Sequence, residues 1–140
     1  MKNKRYEEYI ETVYGLVKNK GTARTNDIAK NMNVKPSTAT EMLQKMGKEG
    51  YIRYTKYRGV ILTEKGEEIG KKLEKKHEIL KNFFISIGVD EKLADEDACK
   101  IEHIASNETL NMLTKFFEFI QKSDLLKEFT HENRGSRRRN

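Results

Sequence analysis

Apolar residues recur along most of this chain at the three- and four-residue spacing of amphipathic helices. The first stripe predicts a helix from about Arg5 to Lys18, and its members are Tyr6, Ile10, Val13, Tyr14 and Val17. Two shorter stripes follow in TNDIAKNMNVKPSTATEMLQKMGKEGYI, separated by the brief connection NVK. Pro36 opens the second of them, where its missing N–H leaves no helical hydrogen bond unmade. Two short helices joined by a tight turn indicate a helix-turn-helix.

The pattern changes in YIRYTKYRGVILT, which is rich in β-branched and aromatic residues. The sequence KYRG interrupts this run, and Gly59 is suited to the positive φ of a turn. We predict a β-hairpin with Lys56 and Arg58 at its tip. A hairpin directly after a helix-turn-helix makes a winged helix, and a cationic tip suits contact with a phosphate backbone.

Helical spacing then returns and continues almost to the end of the chain. A long helix is expected from about Glu64 to Ile87, Asp90 caps the next one, and a last helix ends near Lys122. That last helix carries an apolar strip of Leu110, Leu113, Phe117 and Ile120, which Met112 and Phe116 widen. We interpret the strip as a homodimer interface, with packing inside the chain as the alternative.

The fold class is therefore mainly α, with an N-terminal winged helix-turn-helix followed by an all-helical dimerisation region. The expected limits are residues 1–71 for the DNA-binding domain, 72–122 for the helical domain and 123–140 for a basic tail. The tail ends in THENRGSRRRN, which has few apolar residues, and we expect it to be disordered.

The charge balance indicates an anionic partner. The 140 residues carry a net charge of +6, which favours nucleic acid over the alternative of a merely Lys-rich protein. The outward face of the second helix of the helix-turn-helix offers hydroxyls, an amide and a cation for phosphates and base edges. The predicted contacts to a double-stranded DNA operator are Pro36, Ser37, Thr38, Thr40, Gln44, Lys56 and Arg58.

The sequence also indicates where the protein works. No apolar run approaches the roughly 18 residues of a membrane span, and no signal-peptide core stands at the N-terminus. A single cysteine excludes an internal disulfide framework and fits a reducing compartment. We therefore expect a cytoplasmic protein without a membrane partner.

The stretch DACKIEHIAS raises a question of chemistry, because helical spacing puts Cys99, Glu102 and His103 on one face. A metal site needs further ligands, for which His77, Glu8 and Glu11 are candidates. A cysteine nucleophile activated by His103 is a second reading, but no orienting group or oxyanion donor accompanies it. A charged surface helix is the third. We expect no enzyme and no small-molecule substrate.

The order of these motifs resembles the diphtheria toxin repressor family of metal-dependent transcriptional repressors, and its short manganese-regulator branch in particular. The resemblance spans roughly residues 5 to 122, and the stretches that carry it are YIETVYGL, ARTNDIA, VKPSTATEMLQK, YRGVILTEKG, HEIL, IGVD and CKIEH. It implies repression of metal-uptake genes when a divalent metal is plentiful. The C-terminal SH3-like domain of longer members is not expected here.

Carried over by position, the family's metal ligands correspond here to Glu8, Glu11, His77, Cys99, Glu102 and His103. The resemblance also implies two departures, because the manganese branch has aspartate at position 8 and glutamate at position 99. The iron branch has methionine and cysteine at these positions, and glutamate and histidine where Lys81 and Asp95 stand. The thiolate favours Fe²⁺ as the cofactor, with Mn²⁺ possible. A winged-helix regulator without metal control is the alternative function.

Overall fold

The computed structural model describes residues 4–137, which form two compact units that meet in sequence between Glu74 and Lys75. The elements in chain order are α1 Lys4–Lys20, α2 Thr25–Met32, α3 Pro36–Lys48, β1 Ile52–Thr55, β2 Gly59–Leu62, α4 Glu64–Ser86, α5 Glu91–Ile104, α6 Asn107–Gln121 and α7 Leu125–Arg137. The mainly α fold and the winged helix-turn-helix predicted from the sequence are confirmed. The division between the units falls inside α4, three residues beyond the predicted limit at residue 71.

The helix-turn-helix is built from α2 and α3. Asn33 adopts the left-handed conformation with φ of 56° and ends α2, as a short polar side chain allows. Pro36 is the first residue of α3. The inner faces of both helices are fully buried against α1 and the hairpin, and the central residues are Ile28, Ala39, Leu43 and Met46.

The buried face of α1 is rotated from the predicted stripe. Tyr9 and Leu16 are buried, whereas Tyr14 and Val17 are only half-buried. Tyr14 instead faces the first half of α4, where a Cβ atom at Gly70 would lie 2.8 Å from the tyrosine ring. The absence of a side chain at Gly70 thus allows α4 to approach α1 closely within the first unit.

The hairpin pairs β1 with β2 in antiparallel register, with Ile52 opposite Leu62 and Thr55 opposite Gly59. Gly59 has φ of +74°, which confirms its predicted role in the turn. The backbone of Ala23 lies beside this glycine and accepts a 2.8 Å hydrogen bond from the N–H of Val60. The wing is therefore tied to the loop between α1 and α2.

The second unit has its own small core, formed by Leu80, Ala98 and Leu110. The ring of Phe117 meets Phe83 edge-on at 5.2 Å. These contacts correct the prediction for α6, because Leu110 and Phe117 of the expected dimer strip are buried within the chain. The opposite side of α6 is the exposed apolar side, with Met112, Phe116 and Phe119.

The segment expected to be a disordered tail is largely helical. Helix α7 runs from Leu125 to Arg137, and the hydroxyl of Thr130 donates a 3.1 Å hydrogen bond to the carbonyl of Ser86. Leu126 and Phe129 are three residues apart, so the segment has the spacing of a helix face that the basic composition obscured. Residues 138–140 lie outside the described part.

Candidate metal centre and DNA-binding surface

Helix α5 brings three potential metal ligands together. Cys99, Glu102 and His103 each offer one donor atom, and these atoms lie within 4.8 Å of one another. Glu102 and His103 are buried, while Cys99 is exposed. The side chains of Ala94 and Ala98 fix the orientation of α5, since both are fully buried on its inner face.

His77 approaches the same cluster from α4. Its Nδ1 atom lies 3.6 Å from Oε2 of Glu102, and Nε2 of His103 lies 3.4 Å from Oε1 of that carboxylate. The Glu102 side chain is fully buried between the two imidazoles. The Glu102 carboxylate and then Asp95 raise the pKa of His77 to about 9, against the opposing effect of burial.

These four residues fit a divalent transition metal. Two imidazole nitrogens, one carboxylate and one sulfur form a donor set that suits first-row ions. Nδ1 of His77 is buried and has no hydrogen-bond partner among the described atoms. A buried polar nitrogen of this kind is costly unless it gains a ligand or a proton.

A second layer of contacts surrounds His77. Its Nε2 atom lies 2.7 Å from Oδ1 of Asp95, a hydrogen-bonding distance. The ammonium of Lys81 lies 3.7 Å from the same oxygen and 3.8 Å from Oε1 of Glu91. Spacing along the chain does not predict this contact, because His77 and Asp95 lie on different helices.

The two remaining predicted ligands belong to the first unit. Glu8 and Glu11 lie one turn apart on α1, and both are half-buried. The guanidinium of Arg5 donates a 2.7 Å hydrogen bond to Oε2 of Glu8. Their role as ligands stays a prediction of the family resemblance.

The predicted DNA-contacting residues of α3 differ in accessibility. Pro36, Ser37, Thr38 and Gln44 are exposed, whereas Thr40 is half-buried. The hydroxyl of Thr40 donates a 2.9 Å hydrogen bond to the carbonyl of Pro36, so its proton is already used within the helix.

The wing presents one residue that the sequence reasoning missed. Tyr57 is 78% exposed between the exposed Lys56 and Arg58, and the ammonium of Lys56 lies 5.7 Å from its ring centre. An aromatic ring between two cations in a hairpin tip is a signal that the sequence already contained. The guanidinium of Arg24 donates a 3.0 Å hydrogen bond to the Tyr57 carbonyl and holds the tip in place.

Comparison with known proteins identifies the family. Residues 1–60 match the iron dependent repressor N-terminal DNA binding domain, and residues 63–128 match the iron dependent repressor metal binding and dimerisation domain. The chain belongs to the iron-dependent (diphtheria toxin) repressor family. It is therefore a metal-dependent, DNA-binding transcriptional repressor and not an enzyme.

Similar proteins support this membership over most of the chain. The HTH-type transcriptional regulator MntR of Bacillus pumilus (strain SAFR-032) is 45% identical over 118 residues, which cover 84% of this chain and 82% of that protein. MntR of Bacillus subtilis (strain 168) is 42% identical over 122 residues, covering 87% and 86%. The solved metal-dependent transcriptional regulator MtsR has a TM-score of 0.71 at 27% identity and covers 84% of this chain and 54% of its own.

Family membership also defines the partners of the protein. Members of the family bind operator DNA and dimerise through the C-terminal domain. Within residues 4–137, no helix has the length and apolar character needed to cross a bilayer.

Proposed function

We propose that this repressor binds its operator through α3 and the wing when a divalent metal is held by His77, Cys99, Glu102 and His103. The observation that carries the proposal is the convergence of two imidazoles on one fully buried carboxylate. Glu8 and Glu11 are included as ligands on the strength of the family resemblance. The repressed genes are those for metal uptake, and the repressor works in the cytoplasm, as the same resemblance implies.

The metal acts by differential affinity for two states of the protein. An ion that bound the DNA-bound and free arrangements equally well would change nothing, so it must bind the former more tightly. The bound ion would supply positive charge to the site. That charge would neutralise the buried Glu102 carboxylate and replace the proton that His77 otherwise holds.

We further propose that Mn²⁺ activates the protein and that Cys99 raises its affinity for Fe²⁺ and Co²⁺. Support for manganese comes from similar solved structures, among them the manganese regulator SloR at 27% identity and a TM-score of 0.67. The preference for Fe²⁺ over Mn²⁺ that the sulfur donor predicts has no support from these relatives. Oxygen donors suit manganese, whereas a thiolate favours the later ions of the series.

Metal titration of operator affinity tests the metal dependence. Reduced protein should bind a labelled operator weakly with a chelator and tightly with Mn²⁺. Binding that is equally tight with the chelator would instead favour the metal-independent regulator.

The role of Cys99 is tested with Co²⁺ in deoxygenated buffer. Wild-type protein should show a thiolate-to-metal charge-transfer band that vanishes in Cys99→Ala. Cys99→Glu should shift activation towards Mn²⁺ relative to Co²⁺, because a carboxylate replaces the sulfur. An unchanged metal preference in both variants would make the cysteine a bystander.

The proposed DNA contacts are tested by truncating exposed side chains that are not part of the hydrophobic core. Gln44→Ala should weaken operator binding and relax the sequence preference at one base position. Lys56→Ala or Arg58→Ala should each reduce the slope of log affinity against log salt concentration by about one. Lys72→Ala is a matched exposed control outside α3 and the wing. Unchanged affinity in the triple variant of Gln44, Lys56 and Arg58 would refute the assigned surface.

The dimer interface is proposed on the exposed apolar side of α6, where Met112, Phe116 and Phe119 are 58%, 52% and 72% exposed. Three large apolar side chains at helical spacing form a patch that favours burial against another surface. Leu125 and Phe129 of α7 add to the exposed apolar surface of this unit. A second copy of the chain is the occupant that the dimerising family implies.

A further inference from the structure

We propose that Asp95 is a positioning residue that selects which nitrogen of His77 is available to the metal. The inference rests on the proposed function, because it concerns the same metal centre. Asp95 is not one of the proposed metal ligands. It acts through His77, by a hydrogen bond on the side of the ring that faces away from Glu102.

The geometry assigns opposite roles to the two ring nitrogens. Nε2 lies 2.7 Å from Oδ1 of Asp95, and a carboxylate at that distance can only accept, so Nε2 carries a proton. Nδ1 points the other way, 3.6 Å from Oε2 of Glu102, and is buried. With its proton held at Nε2, the ring offers Nδ1 as the donor atom.

Lys81 keeps Asp95 in this role. Its ammonium lies 3.7 Å from the same Oδ1 atom that accepts from His77, and the Lys81 side chain is 21% exposed. The ammonium thereby holds the Asp95 carboxylate in the position from which Oδ1 reaches Nε2 of His77. Lys81 and Asp95 stand where the resemblance implies glutamate and histidine, respectively, in the iron branch.

A general loss of negative charge near the metal would mimic the loss of a positioning residue. Glu91 separates the two explanations, because its carboxylate lies 3.8 Å from the same lysine, whereas the hydrogen-bonding partner of His77 Nε2 is Asp95. Glu91→Ala and Asp95→Ala remove the same charge from the same helix. Only the second variant removes the hydrogen bond to the ring.

The experiment measures Co²⁺ affinity of the full chain by visible absorption in deoxygenated buffer. Asp95→Ala should bind about 10- to 100-fold more weakly than wild type, the usual effect of removing a partner of a metal-bound histidine. Glu91→Ala should lose about fivefold at most, as expected of an exposed charge pair. Asp95→Asn retains an oxygen acceptor and should fall between wild type and Asp95→Ala.

A second readout does not depend on affinity. In Co²⁺-loaded protein, the ring N–H of His77 should give a hyperfine-shifted proton signal that exchanges slowly with water. The signal should persist in Glu91→Ala and broaden or vanish in Asp95→Ala, while circular dichroism shows that both variants fold.

Three outcomes would overturn the inference. Affinity of Asp95→Ala within about threefold of wild type would show that the contact does not matter, being far below the usual effect. Equal losses in Asp95→Ala and Glu91→Ala would assign the effect to charge. Wild-type protein that binds no Co²⁺ would overturn the proposed function as well, which distinguishes that failure from the other two.

Discussion

Replacing Gly59 by alanine should loosen the wing from the rest of the DNA-binding unit. Gly59 has φ of +74°, and a Cβ atom there would lie 2.7 Å from the carbonyl oxygen of Ala23. The next contacts, at 3.3 and 3.4 Å, are also to backbone atoms, of Ala23 and Arg24. Because no flexible side chain can move aside, either the loop or the turn of the hairpin must shift.

The expected cost has two parts. The left-handed conformation costs an alanine about 1–2 kcal/mol relative to glycine. Forcing a methyl group against a packed backbone adds about 1–3 kcal/mol, by analogy with overpacked cores. Gly21 separates the parts, since its φ is +78° and nothing lies within 4 Å of its added Cβ. Gly21→Ala should therefore show only the first cost.

The assay is urea denaturation of metal-free protein for both variants, followed by operator binding at several salt concentrations. Gly59→Ala should be less stable than Gly21→Ala by about 1–3 kcal/mol. It should also show a shallower salt dependence of binding, because Lys56 and Arg58 lose their fixed positions. Equal stability of the two variants would refute the close packing of the hairpin against Ala23.

Three further predictions concern other parts of the chain. Glu102 and Asp95 raise the pKa of His77 to about 9, so its stabilising effect on metal-free protein is complete below pH 6.5 and is lost as the pH rises through about 9. Metal affinity should rise with pH over the same window, because the ion displaces the proton of His77. Calorimetry in buffers of different ionisation enthalpy would detect the released proton. A metal affinity that does not change with pH would contradict this prediction. Leu43→Ala in the fully buried face of α3 should lower the free energy of unfolding by about 2–5 kcal/mol, whereas the exposed Gln44→Ala should change it by less than about 0.5 kcal/mol. Phe119→Glu should convert the dimer into a monomer in sedimentation, and the neighbouring exposed change Glu118→Lys should not. A dimer that survives Phe119→Glu would place the interface elsewhere.

Local sequence determined much of the winged helix. Pro36 can begin a helix but cannot continue one, so the start of α3 was readable without any neighbour. Gly59 marked the turn because few other residues adopt positive φ without strain. The hydroxyl of Thr63 accepts from the N–H of Gly66 and the carboxylate of Asp90 accepts from that of Lys92, and both caps depend on residues within three positions.

Helical spacing also placed Cys99, Glu102 and His103 on one face, and the need for further ligands made His77 a candidate, which the family resemblance then supported. Spacing within one helix is enough to predict which side chains share a face. It does not predict which face is covered. Helix α6 has two apolar sides with the same helical period, one with Leu110 and Phe117 and the other with Phe116 and Phe119. Only packing in the second unit determines that the first side is buried and the second exposed.

Tertiary structure alone decided the contacts between residues distant in sequence. Tyr14 is turned towards Gly70, and His77 meets Asp95 on another helix, because the helices pack at angles that no local pattern specifies. The same holds for α7. Its basic composition predicts disorder, whereas in the structure the hydroxyl of Thr130 is hydrogen-bonded to the carbonyl of Ser86. Local chemistry thus set the ends and faces of the elements, and packing set which side chains they bring together.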